Sequence, residues 1–156
     1  MKRALLLVIA AAIFSSTFAS GWATSDGSCY AKGDKNLSVG LNFYWWGNYA
    51  TFDYGIHDAI SIGGGIGYNY WWGNFPIVVR GLFHPFNLTV LSDKIAIRDK
   101  LDVYAGLMLY ILPGRSNYSP IRENFGARFH FSPKFYAFAE ESGAFGYLSL
   151  GAGLKF

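Results

Sequence analysis

From residue 36 onward, hydrophobic and polar positions alternate with a period of two, which is typical of strands that present one apolar face. In the first run, Leu37, Val39 and Leu41 alternate with Ser38 and Gly40. An even number of strands in chain order can close into a barrel without free edges. The alternating runs and the turn residues between them predict eight strands, at residues 36–46, 49–56, 59–70, 76–85, 100–111, 121–131, 134–142 and 146–156.

The charge content decides which face of each strand points outward. Only 15% of the 156 residues are charged, whereas a soluble surface needs roughly 25–35% charged side chains. Between Leu37 and Tyr70 the only Asp, Glu, Lys or Arg residues are Asp53 and Asp58. The apolar face must therefore point into lipid, where the backbone of each strand pairs within the barrel. The fold class predicted is all-β: an antiparallel up-and-down eight-stranded transmembrane β-barrel over residues 36–156.

Aromatic residues make up 19% of the chain, and membrane barrels carry an aromatic girdle at each interface. A soluble barrel with these aromatics in its core would need a second layer that the chain is too short to supply. The girdle at one end is predicted to contain Phe43, Trp45, Tyr68, Tyr70 and Trp72. The girdle at the other end is predicted to contain Phe83, Phe86, Phe129, Phe131, Phe135 and Phe156.

The N-terminus has the features of a secretory signal peptide: a basic start, a short apolar run and small residues at a cleavage site. We expect cleavage after Ala19, or as late as Ala23; a membrane anchor would need about 20 apolar residues. Residues 20–35 are predicted to be a flexible periplasmic lead. This lead contains Cys29, the only cysteine, so no disulfide can form within the chain. Lipidation of Cys29 is a weaker alternative, because no apolar lipobox precedes it.

The chain resembles small outer-membrane β-barrel proteins of Gram-negative bacteria, of the OmpX and OmpA-transmembrane type. The resemblance rests on the signal peptide, the eight segments and three sequence runs, Leu101–Leu107, Phe125–Phe131 and Gly153–Phe156. The resemblance covers the chain from about residue 30 to its end. It implies a barrel with both termini in the periplasm, and it implies no single activity. Phe156 and Leu154 match the C-terminal signal that the barrel assembly machinery reads. One feature departs from the family, in which periplasmic turns are short: the longest link, 86–99, would be periplasmic.

Four charged residues, Arg80, Asp102, Arg128 and Glu140, fall on the polar face of strands four to seven. An eight-stranded barrel is too narrow for an aqueous channel, and charges inside it persist only when they are paired. We therefore predict an interior polar cluster that fixes packing. A gated polar relay or ion path is the alternative.

A catalytic role is not expected. His130 and Ser132 match the His-x-Ser motif of outer-membrane lipid A deacylases, in which the serine is the nucleophile. Pro133, however, stands where that family has Asn, and alternation places His130 inside. His84 and His130 lack a third ligand for a metal, and the sequence indicates no cofactor or nucleotide site.

The sequence thus predicts a non-enzymatic outer-membrane protein, a monomer with a structural, envelope-integrity or surface-interaction role and a lumen plugged by side chains. Its expected partners are outer-membrane lipid and lipopolysaccharide, and the barrel assembly machinery during biogenesis. The net charge of +3 is too small and too dispersed for nucleic-acid binding. The alternatives left open are a lipid-modifying enzyme and a narrow pore for ions or hydrophobic molecules.

Overall fold

A computed structural model describes residues 22–43, 46–114 and 119–156. Eight strands form one closed sheet in which each strand pairs antiparallel with the next and β8 pairs with β1. The prediction of an antiparallel up-and-down eight-stranded barrel is confirmed. The strands are β1 (Lys35–Asn42), β2 (Gly47–His57), β3 (Ile60–Asn69), β4 (Ile77–Phe83), β5 (Leu101–Ile111), β6 (Ile121–His130), β7 (Phe135–Ser142) and β8 (Gly146–Lys155).

Most large apolar side chains of the strands point outward. In β1 the exposed positions alternate strictly with buried ones along Lys35–Asn42, as the pleat of a strand requires. The register continues this face around the barrel, because outward-facing Val39 pairs with Ala50 on β2 and with Ala152 on β8. The exterior is therefore mostly apolar, and most polar strand positions point inside.

Two strands end earlier than predicted. β1 ends at Asn42 rather than at residue 46, and Trp46 has a φ of 45°, a left-handed conformation that a strand cannot include. β4 ends at Phe83 rather than at residue 85, because Pro85 opens a 3₁₀ turn, Pro85–Asn87, and proline cannot donate a ladder hydrogen bond. The remaining bounds agree with the predicted runs to within two residues.

β1 begins and β8 ends at one end of the barrel, which we name the terminal end; the other we name the opposite end. The link from β4 to β5 also lies at the terminal end, and contains the turn Pro85–Asn87, a one-turn helix α1 (Thr89–Ser92) and a second 3₁₀ turn, Ala96–Asp99. In the part of the chain that the structure describes, no helix is long and apolar enough to cross a membrane.

Glycine allows bulky side chains to lie flat against the inner wall. A Cβ on Gly126 would clash with the ring of Tyr104, and one on Gly153 would clash with the ring of Tyr136. Both tyrosines are almost fully buried and point into the barrel. These glycines therefore leave room for large inward side chains in a narrow barrel.

The structure describes residues 22–35 of the predicted lead. Lys35 already belongs to β1, and residues 22–34 pack across the terminal end. Ala23 forms a β-bridge with Leu88, and Tyr30 is only 1% exposed. The segment is held because its polar groups find partners on the barrel end, which alternation in the strands could not reveal.

Candidate functional site

The centre of the barrel interior holds a charged cluster built around Asp53 on β2. Arg80 on β4 donates two hydrogen bonds to this carboxylate, from Nε to Oδ1 at 2.7 Å and from Nη2 to Oδ2 at 2.6 Å. Arg128 on β6 donates a third, from Nη2 to Oδ2 at 2.6 Å. Asp53 is fully buried, and such a bidentate pair is among the stronger charge-assisted contacts in proteins.

Glu140 on β7 completes the cluster. Its Oε2 accepts hydrogen bonds from Arg80 Nη1 and from the Tyr104 hydroxyl, each at 2.8 Å. In the strand order of the barrel, β2 lies directly opposite β6, and β4 is three strands from β7. The ion pairs of Asp53 with Arg128 and of Arg80 with Glu140 therefore cross the interior rather than joining neighbouring strands.

The structure brings together all four residues of the predicted interior cluster. Asp102 joins through Arg128, whose Nη1 lies 3.5 Å from Asp102 Oδ2. Asp53, which bonds both arginines, is not among the residues predicted for this cluster. Its strand has aromatic residues on both faces, with Tyr49 inside and Phe52 outside, so alternation did not reveal which way Asp53 points.

An apolar layer lies between the charged cluster and the opposite end. The rings of Tyr49 and Phe145 stack with centroids 4.3 Å apart, and Phe138 meets Tyr49 edge-on at 6.3 Å. Val78 and Met108 belong to the same buried group. Since Phe145 lies in the turn between β7 and β8, this turn folds back into the interior.

At the terminal end the interior is covered by two segments that we name the terminal cap, residues 22–34 and the link 84–100. Tyr30 of this cap is 1% exposed and stacks on the His84 ring with centroids 3.6 Å apart and planes within 8°. Its hydroxyl donates to the Ile60 carbonyl at 2.8 Å. Burial raises the pKa of Tyr30 above its usual range, so this hydroxyl stays protonated and able to donate.

Several contacts hold residues 22–34 against the link 84–100 and the barrel. The Arg98 guanidinium donates to the backbone carbonyls of Asp26 and Phe86, which ties the two segments of the terminal cap together. The Asn87 amide donates to the Tyr30 carbonyl at 2.9 Å. Lys155, near the end of β8, donates to the Cys29 carbonyl at 2.8 Å. Residues 22–34 are thus held both by the link 84–100 and by β8.

An open cavity of about 420 Å³ lies beside the terminal cap. Cys29, Lys100, His130 and Lys155 are among its lining residues. Burial raises the pKa of the Cys29 thiol to about 12, so the reactive thiolate is scarce near neutral pH. Cys29 therefore acts as a small buried side chain of the cap.

In the described part of the chain, no hydrogen bond joins His130 to Ser132. The Ser132 hydroxyl accepts hydrogen bonds from the backbone N–H groups of Lys134 and Phe135, at 3.3 and 3.0 Å, within the turn from β6 to β7. His130 is 7% exposed and packs beside the Tyr136 ring, with centroids 5.0 Å apart. Within the described ranges, no group of three or more His, Cys, Asp or Glu side chains is placed to hold a metal ion.

The described residues assigned to the aromatic girdles differ in exposure. Near the opposite end Tyr70 and Trp72 are exposed, and half-buried Tyr68 packs on the Phe75 ring at 4.7 Å. Trp45 lies outside the described residues. Towards the terminal end the exposed aromatics are Phe129, Phe131, Phe135 and Phe156, whereas Phe83 and Phe86 are half-buried.

Several solved structures share this architecture. The N-terminal β-barrel domain of Pseudomonas aeruginosa OprF has a TM-score of 0.59 at 15% identity, covering 80% of this chain and 98% of that chain. A de novo designed transmembrane β-barrel also gives 0.59 at 15% identity, with 80% and 97% covered. The designed barrel TMB2.3 gives 0.54 at 18% identity, with 79% and 90% covered. No protein-family model and no curated protein matches the chain.

These similarities agree with the geometry of the chain itself. The closed sheet, its apolar exterior and its charged interior give the protein the fold of the small eight-stranded membrane barrels, as the sequence predicts. Because a fold of this kind hosts many activities, the role must be argued from the interior and the two ends.

Proposed function

We propose that the protein is an integral outer-membrane β-barrel whose lumen is sealed by its own side chains and whose role in the cell envelope is structural. The observation that carries the proposal is the pair of ion pairs that cross the interior, Asp53 with Arg128 and Arg80 with Glu140. In an open channel water would solvate these charged groups, and they would not have to form ion pairs.

Three successive layers support the sealed lumen. The Tyr49 and Phe145 stack lies towards the opposite end, the charged cluster occupies the centre, and Tyr30 covers the terminal end. An eight-stranded barrel has an interior just wide enough for its side chains. An ion would have to displace apolar rings and then break buried ion pairs, and each step is costly.

The proposed setting follows from the N-terminal export pattern and the C-terminal residues. The signal peptide would direct the chain across the inner membrane, and the barrel assembly machinery would recognise Phe156 and Leu154. The terminal end would then face the periplasm. Lipid and lipopolysaccharide would cover the apolar exterior, and the barrel would act as a monomer.

The two alternative functions receive less support. An enzyme built on Ser132 and His130 would need the serine hydroxyl to donate to the imidazole, whereas the hydrogen bonds that the described structure gives this hydroxyl are from backbone N–H groups of its own turn. A narrow pore would need a continuous water path past Arg80 and Glu140, which are both 2% exposed.

Planar-bilayer recording tests the sealed lumen. We expect the purified mature protein to give no steady conductance steps above the background of the lipid alone, because the ion pairs that cross the interior block the path. An insertion control is required: the same protein, reconstituted in vesicles, must resist extraction and shift its gel mobility on heating. A porin of established conductance, recorded in the same bilayer, verifies that the bilayer reports channel conductance.

Steady unitary conductance from correctly inserted protein would contradict the sealed lumen. Lipid A analysis provides a separate check on the enzyme alternative. Replacing Ser132 and His130 with alanine should leave the lipid A profile of the expressing cells unchanged, and a profile that changed would revive that alternative.

A further inference from the structure

Three side chains at the terminal end of the interior form a hydrogen-bonded row. The Ser61 hydroxyl on β3 lies 3.0 Å from His84 Nε2, and His84 Nδ1 lies 2.7 Å from Asp102 Oδ1 on β5. Ser61 and His84 are fully buried and Asp102 is 3% exposed. None of these three residues belongs to the His130 and Ser132 pair. The sealed-lumen proposal does not depend on this row.

This order of groups is that of an activated serine nucleophile. With its proton on Nδ1, held by the Asp102 carboxylate, the His84 ring presents a basic Nε2 to the Ser61 hydroxyl. A nucleophile within hydrogen-bond reach of a base, and a base oriented by a third group, are the features that define such a site. Arg128, 3.5 Å from the other oxygen of Asp102, helps to hold that carboxylate in place.

The terminal cap covers this row directly. The Tyr30 ring stacks on His84, and its hydroxyl reaches the carbonyls of His57 and Ile60 on either side of the turn before Ser61. Cys29, the residue before Tyr30, lines the open cavity of about 420 Å³. If residues 22–34 lifted away, the row would open towards this cavity, which is large enough for a small ligand.

We propose that Ser61 is a latent acyl-transfer nucleophile, activated by His84 and Asp102 and closed off by Tyr30 of the terminal cap. Its substrates would be small esters that enter from the terminal end. This inference goes beyond the structural role proposed above, because it concerns the barrel with its cap open.

The reaction balances with water as the only co-reactant. Ser61 Oγ attacks the ester carbonyl carbon while the hydroxyl proton passes to His84 Nε2. The bond between the carbonyl carbon and the alkoxide oxygen then breaks, and His84 gives the proton to the departing alkoxide. Water attacks the resulting Ser61 ester with His84 as the base. The products are a carboxylic acid and an alcohol, and Ser61 is regenerated.

A fluorophosphonate probe tests the proposal, because a serine activated in this way displaces fluoride and keeps the phosphonyl group. We expect the Tyr30→Ala variant in detergent to form a Ser61 adduct faster than the unmodified chain does, with the site identified by peptide mass spectrometry. Adding His84→Gln should slow labelling on the order of 100-fold, the usual contribution of a general base. Adding Ser61→Ala should abolish it.

Ser38 provides a matched control within the same barrel. It is also a buried interior serine, but its hydroxyl bonds the Tyr136 hydroxyl at 2.7 Å rather than a histidine, so it should remain unlabelled. Folding of each variant is verified by its heat-dependent gel mobility. If Tyr30→Ala fails to fold, Asn87→Ala replaces it, since this change removes the bond to the Tyr30 carbonyl and leaves the interior row intact.

Two results would overturn the proposal. One is a folded, cap-loosened variant that forms no Ser61 adduct. The other is a Ser61 adduct whose rate does not change with His84→Gln, since the hydroxyl would then react without the base. Neither result bears on the sealed lumen, which bilayer recording of the unmodified protein tests separately.

Discussion

Replacing Asp53 with asparagine is expected to lower the free energy of unfolding by about 3–5 kcal/mol, the usual cost of removing one partner from a buried ion pair. Asparagine preserves the shape of the side chain but not its charge. Arg80 and Arg128 would then share a fully buried site without the carboxylate that now accepts hydrogen bonds from both.

Urea unfolding of the barrel in lipid vesicles, followed by tryptophan fluorescence, measures this loss. Asp93→Asn is the matched control: Asp93 is exposed in the link between β4 and β5, so the same change there should alter stability by less than about 0.5 kcal/mol. A loss below about 1 kcal/mol for Asp53→Asn, the value typical of solvated ion pairs, would show that water reaches the centre of the barrel.

Replacing Val79 with arginine is expected to destabilise the membrane-inserted barrel by about 2–4 kcal/mol, the cost of a cationic side chain on the lipid face near the bilayer midplane. Val79 lies in the middle of β4, is 55% exposed and points outward. In lipid the guanidinium would have to leave the hydrocarbon or draw water into it. The same unfolding assay in vesicles measures the effect.

Ile97→Arg is the control for this substitution. Ile97 is similarly exposed, at 49%, but it lies in the 3₁₀ turn Ala96–Asp99 of the terminal cap, outside the strands that cross the membrane. We expect a change of less than about 0.5 kcal/mol there. Equal effects at Val79 and Ile97 would indicate that both side chains have the same surroundings, which contradicts a lipid-facing barrel wall.

The strands were predictable because alternation is a local property of the chain. Leu37, Val39 and Leu41 point outward as expected, and the charged residues predicted to lie inside do so. Arg80 interrupts the otherwise apolar or glycine residues of β4, and alternation places Arg128 on the polar face of β6. Alternation within single strands thus predicted the barrel and most of its interior cluster.

The terminal cap and the Ser61, His84 and Asp102 row could not be predicted in the same way. Tyr30 reaches the carbonyl of Ile60, a residue 30 positions away, and its segment has no alternation to mark it. The row depends on the relative register of β3, β4 and β5, which the sequence of a single chain does not fix. Both features are products of tertiary packing rather than of local pattern.

The central claim is that the apolar face of the strands lies in hydrocarbon, and spin labels test it most directly. One nitroxide each would be placed at Val39, Val79, Leu107 and Ile97, in a Cys29→Ser background reconstituted in vesicles. Collisions with oxygen, which concentrates in lipid, should exceed those with a water-soluble nickel chelate at the first three sites, with the reverse at Ile97. Nickel collisions at Val39, Val79 and Leu107 as frequent as those at Ile97 would contradict the membrane-spanning barrel.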